Sequence, residues 1–272
     1  MNFIGLQVNC DEEKREFIIA ELSLLAFDAF EENEKGVFAS CDLAEWNEEE
    51  VKEICNRYEL EYSFEEIEKV NWNEEWEKNY DPVIVDDQCI VRATFHEPKP
   101  EFPYEIIITP KMSFGTGHHA TTNQVLKYQL SLDHEGKKVL DVGCGTGALA
   151  IMAHKRGAQE IAAVDIDEWC IENSSENFAL NNCENILLKL GGIEQIQPDD
   201  HFDFIFANIN KNVLIDQIKD YAHRLVNGGT LVLSGFYAWD IPDLVREGRK
   251  YGLEHEDQSE LENWAMLAMR KK

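Results

Sequence analysis

The 272-residue sequence predicts an α/β protein: a mostly parallel sheet with helices on both faces, preceded by a small α+β domain. Three observations carry this expectation. From Lys137 onward, strand-like and helix-like segments alternate, the pattern of a parallel sheet joined by crossover helices. A glycine-studded turn, Gly143-Cys144-Gly145-Thr146-Gly147, follows the first of those strands. Residues 1–69, finally, read as strand, helix, two strands, helix, strand, and are far more acidic than the rest.

Each element of the first domain has a local reason. Residues 3–8 alternate apolar and polar, as a half-buried strand requires. Asp11 caps a helix whose apolar face holds Phe17, Ile18, Leu22 and Leu25. Residues 26–31 and 36–41 flank the turn-like Glu32-Asn33-Glu34-Lys35 and predict a hairpin. Asn47 caps a second helix reaching Tyr58, with Val51, Ile54 and Cys55 on one face, and residues 60–67 close the set. This order is a split βαβ, ferredoxin-like pattern. Residues 70–80, with Trp72 and Trp76 four apart, read as an amphipathic connector, and residues 81–272 as the main domain.

In the main domain, residues 83–95 and 105–109 are strand-like runs. The alternation then begins: strand 138–142, helix 148–156, strand 161–165, helix 168–180, strand 202–207, helix 213–225 and strand 230–235. Two closing strands, 253–259 and 264–269, end the domain.

Composition excludes several classes. The longest apolar stretch, residues 17–27, is interrupted by Glu21 and falls short of the ~20 residues of a membrane span. The N-terminus lacks the basic-then-apolar layout of a signal peptide, so a cytoplasmic protein is expected. Seven scattered cysteines without a Cys-x-x-Cys pair, and eight histidines without His-x-x-x-His spacing, predict neither a disulfide framework nor a metal site. The net charge is −28, and residues 1–79 hold 23 Asp/Glu against 7 Lys/Arg. Such a field repels nucleic acid and attracts cationic partners, although solubility alone accounts for it equally well.

The chemistry sits at the glycine turn. Glycines at alternate positions let the chain reverse sharply after a strand and let a ligand approach the backbone. The helix that follows offers free N–H groups to an anionic group such as a carboxylate. Twenty-two residues past Gly143, Asp165 ends the next strand, where its carboxylate can accept hydrogen bonds from both hydroxyls of a ribose. The pair predicts an adenosyl ligand. Gly143, Gly145 and Ala148 also satisfy the Gly-x-Gly-x-x-Ala pattern of nicotinamide dinucleotide folds, which is weak by itself. Upstream, two glycines bracket Thr116, and Thr121 with Gln124 predicts a capping box that starts a helix at Thr122. A polar glycine loop of this kind can serve as a lid, or simply as a connector.

Together these motifs resemble a known family. Asp141-x-Gly143-x-Gly145-x-Gly147 is similar to the first motif of class I S-adenosyl-L-methionine-dependent methyltransferases, and Asp165-Ile166-Asp167 to their second. Phe114-Gly115-Thr116-Gly117, followed by His119, Thr121 and Thr122, resembles the signature of bacterial ribosomal protein L-eleven methyltransferases. Trp72-Asn73-Glu74-Glu75-Trp76, Ala207-Asn208-Ile209, Ser234-Gly235 and Glu262-Asn263-Trp264 resemble further segments of that family. The likeness covers residues 70–270; for residues 1–69 it rests on length, pattern and position.

The resemblance implies a Rossmann-like, mostly parallel sheet and S-adenosyl-L-methionine as cofactor. It also implies a basic ribosomal protein as partner, methylated on its N-terminal α-amine and lysine ε-amines; the acidity of residues 1–69 suits them to dock it. No direct nucleic acid, membrane or metal partner is implied. Thr122, Gly143, Asp165 and Asn208 match cofactor contacts, Phe114, Gly115 and Gly117 the adjoining loop, and Asp141 and Gly145 the glycine motif. Asn208 is also the candidate catalytic residue, its side-chain carbonyl aiming the acceptor amine. At most one of His118 and His119 can take a proton, since adjacent side chains rarely face one target. His118 and Ala120 stand where the family carries threonine and proline, and Asn210-Lys211-Asn212-Val213-Leu214 replaces Leu-Ala-Gly-Pro-Leu. These departures border the acceptor. They leave open a methyltransferase for another protein or a small molecule, or an idle methyltransferase fold that only binds.

Overall fold

Strand β1 (Phe3–Asn9) buries Ile4, Leu6 and Val8, so the alternation seen in the sequence is the burial pattern of the element. The computed structural model describes residues 2–67, 72–111, 113–183 and 185–272. Helix α1 (Glu12–Leu22) starts where Asp11 accepts the Lys14 N–H at 3.2 Å. Its buried face is narrower than expected: Ile18 and Leu22 are buried, Phe17 is 61% exposed, and Leu25 lies beyond the helix end. Strands β2 (Phe27–Asn33) and β3 (Gly36–Asp42) form the hairpin, with the turn shortened to Glu34-Lys35. Helix α2 (Glu48–Arg57), capped by Asn47, buries Val51, Ile54 and Cys55. With β4 (Glu61–Ile67) the antiparallel sheet runs β2-β3-β1-β4, the ferredoxin-like order.

Residues 72–78, read as connector, form a short helix, α3 (Trp72–Lys78), in which the Trp76 ring lies 5.1 Å from that of Tyr80. The side chain of Trp72 lies outside the described residues. The chain divides into two compact units, Met1–Tyr80 and Asp81–Lys272.

The second unit opens with a small sheet the sequence did not separate. Residues 83–95 are not one strand but two, β5 (Val83–Val85) and β6 (Cys89–Ala93). The chain reverses at Asp86 and Asp87, both left-handed at φ 52° and 54°. No glycine marks that turn, so alternation seemed to run through it. β7 (Tyr104–Ile108) adds parallel to β6.

The main sheet contains β8 (Lys138–Val142), β9 (Glu160–Asp165), β10 (Leu187–Leu190), β11 (Phe202–Asn208), β12 (Leu225–Tyr237), β13 (Leu253–Leu261) and β14 (Trp264–Lys271). Its order is β10-β9-β8-β11-β12-β14-β13, the first five parallel and β14 antiparallel to both neighbours. Helices α4 (Ala120–Ser131), α5 (Ala148–Lys155), α6 (Glu168–Leu180), α7 (Lys211–Arg224) and α8 (Ile241–Arg249) accompany it. Strand alternation feeds two cores: Val139, Phe204 and Phe206 pack with Ile151 and Met152, while Leu140 and Ile205 pack with Leu214 and Tyr221.

The free edge of β7 is closed by side chains rather than a strand. Along α6, Asn173 donates to the Thr109 carbonyl, Asn177 accepts the Thr109 N–H, and Asn181 both donates to and accepts from the Ile107 backbone. Asparagines at i, i+4 and i+8 share one helix face, so α6 acts as a surrogate neighbour for an edge that would otherwise stay unpaired.

Candidate active site

The direction in which strands are added reverses between β8 and β11, and a crevice opens there at the carboxyl ends of the strands. The glycine turn lies on one side. Gly143 and Cys144 N–H both donate to the Val164 carbonyl, at 2.8 and 3.1 Å, which pins the turn to the end of β9. Gly143 and Gly145 have φ of +72° and +56°, a region that favours glycine. Space forbids a side chain as well: a Cβ on Gly145 would stand 2.2 Å from the Phe114 carbonyl oxygen, and one on Gly143 2.3 Å from Ile209 Cγ2.

Asp165 ends β9 nearly buried. Its Oδ2 accepts the Gly145 N–H at 2.9 Å and its Oδ1 the Asp167 N–H at 3.1 Å. An ionised carboxylate offers about four acceptor positions, so lone pairs remain for ribose hydroxyls. A cavity of about 410 Å³, lined by Lys111, Ser113, Asp167, Trp169 and Cys170, opens beside this strand end. That volume lies within the range of small-molecule sites. Ser174 and Asn177 on α6 donate to the Gly145 and Thr146 carbonyls at 2.6 and 2.9 Å, holding the turn from below.

Asp141 sits differently. It is fully buried at the end of β8, where Oδ2 accepts the Ala150 N–H at 3.2 Å and Oδ1 has no partner among the described residues. Burial pushes its carboxyl up to about 7; the Ala150 N–H opposes this and the nearby Asp165 charge adds to it.

The loop before α4 lies down on the glycine turn. Thr146 donates its N–H to the Phe114 carbonyl at 2.9 Å and its hydroxyl to the Gly115 carbonyl at 2.7 Å. Between them remains a cleft of about 10 Å³ lined by Phe114, Gly115, Thr122, Gly143, Cys144, Ala148, Leu149 and Asn208. Gly117 is turned away: a Cβ there would meet Val83 and Val91. The expected capping box does not form. α4 starts at Ala120, with His119 Nδ1 accepting the Thr121 N–H. Gln124 instead donates to the Trp264 carbonyl and accepts from the Ser259 hydroxyl, because its face of the helix packs on β13 and β14.

Asn208, the last residue of β11, donates its amide to Thr122 Oγ1 at 3.2 Å. Its Oδ1 is buried and without a partner among the described residues. An orphaned buried acceptor has a cost that function commonly explains. His118 has both ring nitrogens within hydrogen-bond distance, of Thr116 Oγ1 at 3.1 Å and of the Asp81 carbonyl at 2.9 Å. The His119 ring stands between Phe114 and Trp264, centroids 5.1 and 4.8 Å away. The departures after Asn208 serve the fold: Asn210 caps α7, and Lys211 bridges Asp240 and Asp243 at 2.6 and 2.8 Å.

The sequence motifs include Thr146, Ile209 and Trp264 without giving them individual roles, and leave out Ser174, Asn177 and Tyr237. Ser174 and Asn177, three apart on a helix, were a readable signal; Ile209 and the aromatics depend on register. Among the described residues, no three His, Cys, Asp or Glu side chains converge as metal ligands, and no helix is long and apolar enough to cross a membrane.

A sheet of this order, with a glycine turn and a strand-end acid flanking the point where the order reverses, defines a class I S-adenosyl-L-methionine-dependent methyltransferase. The glycine cradle and the spare lone pairs of Asp165 fit that cofactor. The family model for ribosomal protein L11 methyltransferase matches residues 6–272, which includes the first unit, where the sequence offered no motif. The ribosomal protein L11 methyltransferase of Porphyromonas gingivalis is 43% identical over 262 residues, 94% of this chain and 90% of the relative. That of Phocaeicola vulgatus is 41% identical over 264 residues, 95% and 94%. A crystal structure of ribosomal protein L11 methylase from Lactobacillus delbrueckii subsp. bulgaricus aligns with TM-score 0.65 at 27% identity, covering 71% of this chain and 100% of that one. The chain therefore belongs to the ribosomal protein L11 methyltransferase family, and it is an S-adenosyl-L-methionine-dependent protein methyltransferase.

Proposed function

We propose that this enzyme methylates amines of ribosomal protein L11, the N-terminal α-amine and lysine ε-amines, in the cytoplasm. The observation that carries the reading is the Oδ1 of Asn208 at the end of β11, buried and without a partner among the described residues. The names of the relatives supply the substrate.

When bound, the cofactor supplies an electrophilic methyl group on a sulfonium. Asp165 accepts hydrogen bonds from the ribose, Gly143 and Gly145 give the methionine part a backbone to lie against, and Thr122, Phe114 and Gly115 enclose it. Asp141 and Gly117 act through the fold, one under α5 and the other against the small sheet. A cleft of about 10 Å³ holds at most one water. The loop carrying Phe114 and Gly115, laid on Thr146, is placed to lift as a gate when the methionine part enters.

Asn208 Oδ1 accepts an N–H of the incoming amine and so aims its lone pair. In an in-line displacement this alignment supplies much of the rate. The amine must be neutral. A lysine of pKa ~10.4 costs roughly 4.6 kcal/mol to deprotonate at pH 7, an α-amine of pKa ~7.8 roughly 1 kcal/mol. The α-amine is the easier acceptor near neutrality. His118 has both ring nitrogens within hydrogen-bond distance of Thr116 and Asp81, and His119 Nδ1 accepts the Thr121 N–H, so neither is placed to take the proton and it leaves to water. The first unit, dense in Asp and Glu, draws in a lysine-rich protein by charge.

The test is mass spectrometry of L11 after incubation with enzyme and isotopically labelled cofactor. Methyl increments on L11 with wild type, and their loss with Asn208→Ala, are expected. An unlabelled L11, or an Asn208→Ala enzyme within a few-fold of wild type, overturns the reading.

A further inference from the structure

Beyond Asn208 the sheet continues as a row of aromatic rings that the mechanism does not use. β12 pairs with β11 so that Ser234 lies beside Asn208, and three residues further on Tyr237 pairs with Trp264 at the start of β14. The Tyr237 ring stacks on Trp264 with centroids 4.3 Å apart and planes at 28°, and on Trp239 at 4.5 Å and 21°. Trp264 in turn contacts His119, which contacts Phe114 of the gating loop. The rings thus run without a break from the cleft to the surface. At the outer end Trp239 is 66% exposed and Tyr237 38%.

The row is held rigidly. Ala238 N–H donates to the Asn263 carbonyl, and Asp240 Oδ2 accepts the Tyr237 N–H at 3.2 Å while its Oδ1 takes Lys211 Nζ. The outer indole face of Trp239, open to water at the end of a rigid stack, has no structural reason to remain uncovered, since Trp239 contributes to neither core cluster of this unit. Its chemistry suits one partner. Aromatic faces attract ammonium groups, Trp best of all, and the apolar stem of a lysine covers the rest of the ring. The exposed Glu260 and Glu262, on the hairpin that carries Trp264, favour a cation further.

We infer that Trp239, held at the end of the stack by Tyr237 and Trp264, forms a platform that receives a lysine side chain of the substrate protein flanking the amine to be methylated. The inference rests on the protein-substrate reading above and adds to it a positioning surface that fixes which amine reaches Asn208.

The experiment is steady-state kinetics with full-length enzyme on L11 and on L11 variants in which each lysine flanking a methylated amine, as mapped by mass spectrometry, is changed to Gln. Trp239→Ala should raise the KM for L11 by about three- to thirtyfold, the span of a cation–π contact from exposed to desolvated. The loss should fall on KM rather than kcat, and calorimetry should show the cofactor affinity within twofold of wild type. Trp239→Phe should recover most of the loss. One Lys→Gln change in L11 should raise KM with wild-type enzyme yet add little with Trp239→Ala. A Trp239→Ala enzyme whose KM stays within twofold, or losses that simply multiply for every Lys→Gln variant, overturns the platform. Wild-type enzyme that leaves L11 unlabelled is a separate result, which removes the substrate reading and the platform with it.

Discussion

On the β8–β9 side of the crevice, the groups that shape the turn are already engaged. Gly143, Cys144 and Gly145 donate to Val164 and Asp165, Ser174 and Asn177 hold the carbonyls of the turn, and Thr146 clasps Phe114 and Gly115. On the β11–β12 side, the Asn208 oxygen is buried and without a partner among the described residues, and the outer face of Trp239 is open. On the function proposed above, the cofactor side is preorganised by backbone, while the acceptor side keeps groups in reserve for a visitor. The contrast separates binding from turnover: damage to one side should appear in cofactor affinity, damage to the other in rate or in substrate KM.

The sharpest way to break that contrast is Asn208→Ala. Removing one group poised at the reacting centre should lower kcat by about a hundredfold or more, while calorimetry shows cofactor affinity changed by less than tenfold. Equal loss of both would merge the two sides. Asp165→Asn should do the reverse. Losing a charge that accepts hydrogen bonds should weaken cofactor binding by about ten- to a hundredfold, with kcat at saturating cofactor within a few-fold of wild type. Smaller still is a several-fold rise in KM for L11 between low and high ionic strength, with cofactor affinity flat, because exposed charges are screened and the crevice is not. Insensitivity of both would remove the electrostatic role of the first unit.

A separate effect is on stability. Asp141 has its folded pKa pushed up to about 7 from a usual value near 3.8, so the fold favours its neutral form. That contribution is present in full below about pH 4 and is lost as pH rises through about 7. Asp141→Asn removes it, so the Tm of the variant should gain on wild type between pH 5 and pH 8. Parallel Tm profiles would show that Asp141 is not held in this way.

The two sides also differ in how far the sequence displays them. The turn at 143–147 is spelled in glycines because its φ values and its clearances to Phe114 and Ile209 admit nothing else, and Asp165 falls where a strand must end. The first unit was legible for a similar reason: Ile4, Leu6 and Val8 alternate, and Asp11 and Asn47 are local caps. The acceptor side depends on register. Nothing near Tyr237 in the chain announces Trp264, and only the β12–β14 pairing brings the rings together. Gln124 looked like a capping partner because the helix face it occupies is set by β13 and β14, distant in sequence. β10, four residues at an edge, and α8, which opens on Ile241-Pro242, were too short or too mixed to stand out.

The central claim is that the glycine turn and Asp165 hold the adenosyl cofactor while Asn208 faces the acceptor. A crystal structure of the complex with S-adenosyl-L-homocysteine tests it most directly. It should show both ribose hydroxyls on the Asp165 carboxylate, the amino-acid part beside Gly143 and Gly145, and Phe114 and Gly115 lifted from Thr146. A ribose away from Asp165, or a ligand bound with the Thr146–Gly115 clasp intact, would contradict it.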